Sequence, residues 1–208
     1  DDLGYYKAKQ TSLNGIPMVI ARTGWSGELS YELYLQDGSK GNDLFEMVFE
    51  AAIEFNGRVI APNTIRTIEG GILSYGSDFD RTHNPFTIGF DRLVHLEQEN
   101  DFIGKDALKR IKEEGPKEKL VGVEMQGTPI NKVPEHFWNV YNDDNKKVGR
   151  LSRCFFSPRL EKNIGLAIVD INYAIPETGV VVESPSERHS SIVVDLPWFE
   201  SVKKNILD

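Results

Sequence analysis

Residues 22–35 read RTGWSGELSYELYL. Gly24 and Gly27 bracket Trp25, and the run after them alternates. Tyr31, Leu33 and Leu35 point one way; Ser30, Glu32 and Tyr34 point the other. Just upstream, residues 17–22 (PMVIAR) form a short apolar, β-branched run closed by Thr23-Gly24, the pattern of a strand ending in a turn. The two runs are expected to pair as a hairpin. One face of that hairpin then carries a carboxylate and a phenol side by side. Such a face is either a solvated sheet surface or the wall of a site for a flat, hydrogen-bonding ligand.

Working outward, residues 42–55 (NDLFEMVFEAAIEF) predict a helix capped by Asn42. Leu44, Phe45, Val48, Phe49, Ala52 and Ile53 form its apolar stripe, with Glu46, Glu50 and Glu54 on the solvated side. Residues 63–74 (NTIRTIEGGILS) predict a second helix, with Gly70-Gly71 read as a close-packing point inside it. A polar connection at 77–84, a strand-like run at 88–96 and a short basic helix at 101–112 follow. The charged EEGPKE at 113–118 marks a boundary, dividing the chain into a domain at 1–112, a linker at 113–118 and a domain at 119–208. Past it the period changes to short strands at 119–124, 148–155, 163–170, 179–183 and 191–196, the spacing of a small antiparallel barrel or sandwich.

Composition narrows the function. The chain has 208 residues, 39% of them hydrophobic, and a net charge of -8. That acidic balance argues against nucleic acid, whose binders carry a basic footprint. No apolar run approaches the roughly 20 residues of a membrane span. The single cysteine, Cys154, leaves no intrachain disulfide and fits a reducing, cytoplasmic setting. His83, His95, His136 and His189 are scattered and make no metal-ligand spacing, so no metal is expected. Cys154 has no base beside it in sequence and reads as a buried thiol, and GGILSYG lacks the lysine of a phosphate-binding loop. The first residues carry neither a starting methionine nor a signal segment, which predicts a piece of a longer protein.

Four segments, in order, resemble the tetrahydrofolate-dependent aminomethyltransferases, relatives of the glycine cleavage T protein. They are RTGWSGELSYELYL; IEGGILSYGSDFD at 68–80; NPFTIGFDRLVHL with DFIGKDALKRI at 84–96 and 101–111; and VGRLSRCFFSPRLEKNIGLAIVD at 148–170. Trp25 and the LSRCFF segment look most like the branch of dimethylsulfoniopropionate demethylases. The resemblance covers the family's C-terminal portion. It implies an α+β class: part of the folate-binding fold, a mixed sheet with helices, followed by a small antiparallel β-barrel. It places the catalytic aspartate in an N-terminal part without counterpart here, so the catalytic residues are unknown and the fragment alone is expected to be inactive.

The resemblance also implies site residues. Glu32 accepts hydrogen bonds from the pterin ring of tetrahydrofolate; Tyr34 and Tyr75 contact the folate; Trp25, with Tyr34, faces the donor. A carboxylate accepts two hydrogen bonds in parallel, which suits adjacent amino and ring N–H donors. An indole face attracts a sulfonium by about 0.5–2 kcal/mol. The implied reaction moves a methyl group from dimethylsulfoniopropionate to tetrahydrofolate. Aminomethyl transfer in glycine cleavage and a folate-binding regulatory module without chemistry are the alternatives. Partners would be the small-molecule donor, folate and the N-terminal half of the same protein, with homo-oligomerisation open. One departure stands out: the family's arginine two residues before the glutamate of IEGG is here Thr67, with Arg66 adjacent and about 100° away on a helix. Arg159 and Arg188 on barrel turns are the remaining candidates for an anion.

Overall fold

A computed structural model describes residues 3–61 and 63–199. They form two compact units, one running to Arg66 and the other comprising Thr67–Phe199.

The first unit is built on a three-stranded sheet, β1 (Ala8–Leu13), β2 (Ile16–Ala21) and β3 (Glu32–Leu35), in that order and antiparallel throughout. The hairpin expected from residues 17–35 is present as β2–β3, with Ala21 opposite Glu32 and Val19 opposite Tyr34. β1 was not predicted. Its sequence, AKQTSL, is polar and exposed, so it lacks the alternation that marks a half-buried strand. The readable signal was Asn14-Gly15: both residues have positive φ, 47° and 83°, the backbone of a two-residue hairpin turn. Leu35 meets Ile16, Met18 and Leu44 in a small core, and Leu44 comes from α1 (Gly41–Ile53).

α1 corrects two expectations. Lys40 occupies the cap position and makes no side-chain cap bond, so Asn42 lies within the first turn instead of capping it. The apolar stripe is only partly used: Leu44 is buried, while Phe45, Val48, Phe49 and Ile53 are exposed. Phe45 and Phe49 stack on each other with centroids 5.9 Å apart.

α2 (Thr64–Glu69) spans the division between the units and is capped by Asn63, whose Oδ1 accepts the Ile65 N–H at 2.9 Å. It is shorter than predicted. The chain leaves the helix at Gly70-Gly71, where Gly71 has φ +61°, so the glycine pair ends the helix instead of packing inside it. Residues 88–96 are not a strand either. They form turns around Gly89 (φ +75°) and a 3₁₀ turn at Asp91–Leu93, and Ile88 and Leu96 are apolar because they are buried, not because they alternate. The basic helix is α3 (Lys105–Glu114).

The second unit holds a closed antiparallel barrel of β4 (Glu118–Met125), β5 (Trp138–Tyr141), β6 (Lys147–Ser157), β7 (Lys162–Asp170), β8 (Gly179–Glu183) and β9 (Arg188–Val194). Its order is β4-β7-β6-β5-β8-β9, and β9 pairs back onto β4. The expected α+β class with a C-terminal barrel is therefore observed. β5 was missed because WNVY is too short to show a period. Val121, Val123, Val140, Leu151, Cys154, Val169, Val182 and Val193 fill the interior. A second core lies on the outer face, where Ile164 and Leu166 of β7 meet Ile68 of α2, with Leu73, Phe155 and Trp198 around them. Both faces of β7 are thus buried, which explains its unbroken apolar run.

Two predictions follow from this packing. A Cβ at Gly149 would lie 2.4 Å from the Ile168 carbonyl oxygen and 2.9 Å from the Val169 Cα, backbone atoms that cannot step aside. Gly149→Ala is expected to lower stability by about 1–3 kcal/mol in denaturant unfolding, the usual cost of overpacking. Burial pushes the Cys154 thiol from 9.0 up to about 12. The folded state therefore keeps its proton over a range where the unfolded chain loses it. That stabilisation is complete below pH 9 and is lost as pH rises toward about 12. Unfolding midpoints measured across this range should fall less steeply in Cys154→Ala than in the parent chain.

Candidate functional site

The site predicted on the hairpin is organised by its connection. Thr23 donates its hydroxyl to Oε2 of Glu32, and Ser30 donates its hydroxyl to the Thr23 carbonyl at 2.9 Å. These two bonds close the base of the loop at 24–29. Gly24 is required there, because a Cβ would fall 1.9 Å from Ser30 Oγ. Gly27 has φ +75°, so the loop reverses at a residue without a side chain. Trp25 sits on this pinned loop with 59% of its surface exposed.

Antiparallel pairing puts Glu32 and Tyr34 on one face of the sheet, opposite the face that Leu35 packs toward α1. Glu32 is half-buried, and among the described residues Thr23 is the one hydrogen-bond donor to its carboxylate. Tyr34 is 54% exposed. The sequence anticipated Glu32, Tyr34 and Trp25 but not Thr23 or Ser30, which set the carboxylate and the loop. Thr23 was legible in principle as the hydroxyl two residues past the end of β2.

Tyr75 belongs to the second unit. It opens a tight turn at 76–78, bridged to Phe79 at the other end, and is 64% exposed. Its ring meets Phe79 edge-on with centroids 5.6 Å apart. The turn is closed from within: the Asp78 N–H donates to the Ser74 carbonyl at 2.9 Å, and the Ser74 N–H donates to Asp78 Oδ2 at 2.7 Å. Asp78 itself is buried, contrary to the reading of 77–84 as a merely polar connection. Its carboxylate is gripped by Arg153, Nε to Oδ1 at 2.9 Å and Nη2 to Oδ2 at 2.6 Å, and by Ser152 Oγ at 2.7 Å.

A β-bulge makes this possible. Leu151 pairs with Ala167 and Arg153 with Leu166, leaving Ser152 as the extra residue. Neighbouring strand residues normally point to opposite faces; the bulge turns Ser152 and Arg153 toward the same carboxylate. Thr67, where the resemblance implies an arginine, accepts Arg153 Nη1 at 2.9 Å. Glu69, also buried, accepts the Ser157 hydroxyl at 2.6 Å.

The remaining candidates are engaged elsewhere. Arg188 bonds Asn145 at 2.7 Å, and the Arg159 guanidinium lies 3.7 Å from the Phe199 ring centroid. His83 sits between Asp80 and Arg150, and His189 stacks on Trp138. Among the described residues, no group of three or more His, Cys, Asp and Glu is arranged to hold a metal. No described helix is long and apolar enough to cross a membrane. The second unit has clefts of about 610 Å³, beside Lys117, Lys146 and Lys147, and about 590 Å³, beside Phe137 and Trp138; neither is lined by Tyr75. Side-chain chemistry, not cavity size, marks the candidate site.

The chain is similar to known proteins in sequence and in fold. Residues 1–98 match the family model of the GCVT N-terminal domain, and residues 118–200 match the glycine cleavage T-protein C-terminal barrel domain. The chain is 30% identical over 199 residues to the dimethylsulfoniopropionate demethylase of Ruegeria pomeroyi, covering 95% of this chain and 53% of that protein. It is 35% identical over 204 residues to the aminomethyltransferase of Caldanaerobacter subterraneus, covering 97% and 52%. The crystal structure of the glycine cleavage system aminomethyltransferase T from Bartonella henselae shares the fold, with a TM-score of 0.80 at 17% identity over 96% of this chain and 54% of that one. The chain spans about half the length of the curated relatives it matches.

Proposed function

The chain belongs to the glycine cleavage T-protein family, and we propose that it is the folate-holding portion of a methyltransferase acting on dimethylsulfoniopropionate. One observation carries this reading. The Glu32 carboxylate is oriented by the Thr23 hydroxyl and shares its sheet face with the exposed ring of Tyr34. A carboxylate set in this way presents parallel acceptors to the amino and ring N–H donors of a pterin, and these residues therefore fit tetrahydrofolate. When bound, tetrahydrofolate supplies the N5 nucleophile that takes the methyl group, giving 5-methyltetrahydrofolate and methylthiopropanoate.

The chain's own residues bind and orient. Glu32 fixes the pterin edge, and Tyr34 offers its ring as a stacking wall. Trp25, exposed on a loop pinned by Ser30, offers an indole face to the donor's sulfonium. Holding the two partners in register is a large part of what such a site contributes. Tyr75 is assigned to folate on resemblance. The domain division at 113–118 and a cytoplasmic setting complete the proposal; the gap between the two family segments supports the first, and the buried lone cysteine the second. The partner that completes the enzyme is a segment equivalent to the first half of the relatives, which would carry the catalytic aspartate. The exposed stripe on α1 supports that assignment.

A second reading is favoured by the 35% identity to an aminomethyltransferase: the same face would hold folate during aminomethyl transfer from a lipoyl carrier. Assays with both donors, on the chain joined to its partner segment, separate the two. Turnover with the sulfonium donor supports the first; turnover only with the aminomethyl carrier supports the second. Folate binding without turnover on either donor indicates a regulatory module.

Titration of tetrahydrofolate tests the site directly. Glu32→Ala is expected to weaken binding by about 1.5–3 kcal/mol, the range for hydrogen bonds to a charged group; unchanged affinity removes Glu32 from the site. Trp25→Phe should weaken the donor by about 0.5–2 kcal/mol, as expected for lost cation–π contact, while leaving folate affinity nearly intact. Equal losses for both ligands would make the indole structural.

A further inference from the structure

We propose that Arg153 is a positioning residue for Tyr75, holding the turn at 74–79 from the barrel wall so that the tyrosine ring is presented in one orientation. The inference rests on the reading of Tyr75 as a folate contact.

The geometry is specific to that segment. The Arg153 guanidinium makes four hydrogen bonds to protein acceptors: two to the Asp78 carboxylate, one to the Ile72 carbonyl at 2.8 Å and one to Thr67 Oγ1 at 2.9 Å. All of these acceptors lie between residues 67 and 78, on the chain that leads into and out of Tyr75. A planar fork can satisfy this set; an ammonium cannot. Asp78 in turn holds the Ser74 N–H, so the arginine, the carboxylate and the backbone on either side of Tyr75 form one connected network. Both charges are buried. Removing either partner would strand the other, and burial makes that far more damaging than breaking a surface pair.

Tyr75 contrasts with its support. The residues around it are pinned, yet its own ring stays exposed and touches Phe79 only at an edge. Rigid backbone beneath an exposed aromatic lowers the entropy lost when a flat ligand stacks on it. The fork thus acts on the ligand through the turn, without touching it.

Arg153→Lys, made in the full chain, tests the idea by amide hydrogen exchange and tetrahydrofolate titration. Exchange at Ser74 and Asp78 should accelerate about tenfold or more through local opening, while Val123 and Val193 in the barrel keep their protection. Folate affinity should fall about tenfold, and adding Tyr75→Ala should cost less than a further threefold, because coupled residues are not additive. Unchanged exchange at Ser74 and Asp78 would overturn the proposal, as would losses that multiply. If Arg153→Lys does not fold, Thr67→Val, which removes one acceptor and leaves the ion pair, must still accelerate the same two amides; protection equal to the parent chain overturns the proposal. Tyr75→Ala with undiminished folate affinity would instead remove Tyr75 from the folate site, and the role of Arg153 with it. A loss in Tyr75→Ala that Arg153→Lys does not reproduce would leave the folate reading standing and sink the positioning role alone.

Discussion

The second unit is organised around one carboxylate that has to be buried. Asp78 lies on an irregular segment that follows a six-residue helix, with little regular structure to satisfy its backbone. A buried carboxylate is tolerated only when its lone pairs are filled. Here that is done by a guanidinium, a hydroxyl and a backbone N–H. The helix end, the turn and the barrel strand must therefore arrive together. The apolar cluster of Ile68, Ile164 and Leu166 supplies the attraction between these elements, and the polar network fixes which residue sits where.

How much of this was legible depended on whether a residue's role was set by its neighbours in sequence or by distant ones. The β2–β3 hairpin could be read because Tyr31 to Leu35 alternate. Most of the barrel strands could be read because Val121, Val123 and Met125, for example, recur at the strand period with turn residues between runs. α1 could be placed, but its stripe is wider than the three strands can cover, and the sequence gives no measure of that width. Gly70-Gly71 misled because a glycine pair serves close packing and chain reversal equally well, and only the positive φ of Gly71 decides. Residues 88–96 misled because burial of isolated apolar residues in turns mimics a strand over a short window.

The candidate site divides in the same way. Glu32, Tyr34 and Trp25 were visible as residue types on a hairpin, since strand parity alone puts the first two on one face. Thr23 and Ser30 were not, because their part is to bond across the loop. Asp78 and Arg153 are 75 residues apart, and their meeting is invisible in either local stretch. Arg153 beside the apolar Cys154-Phe155-Phe156 run of β6 was the one hint, and on its own it does not name its partner.

The bulge at Ser152 has a wider meaning. Strip that residue out, and Leu151, Arg153 and Cys154 would fall into ordinary in–out–in order against Ala167, Leu166 and Gly165. The barrel interior is therefore indifferent to whether Ser152 exists. It behaves as a one-letter insertion written on the outside of a finished container, giving the carboxylate a second donor without rewriting the wall. The outer surface thereby acquires a hydroxyl for its buried guest while the staves stay paired on either side of it.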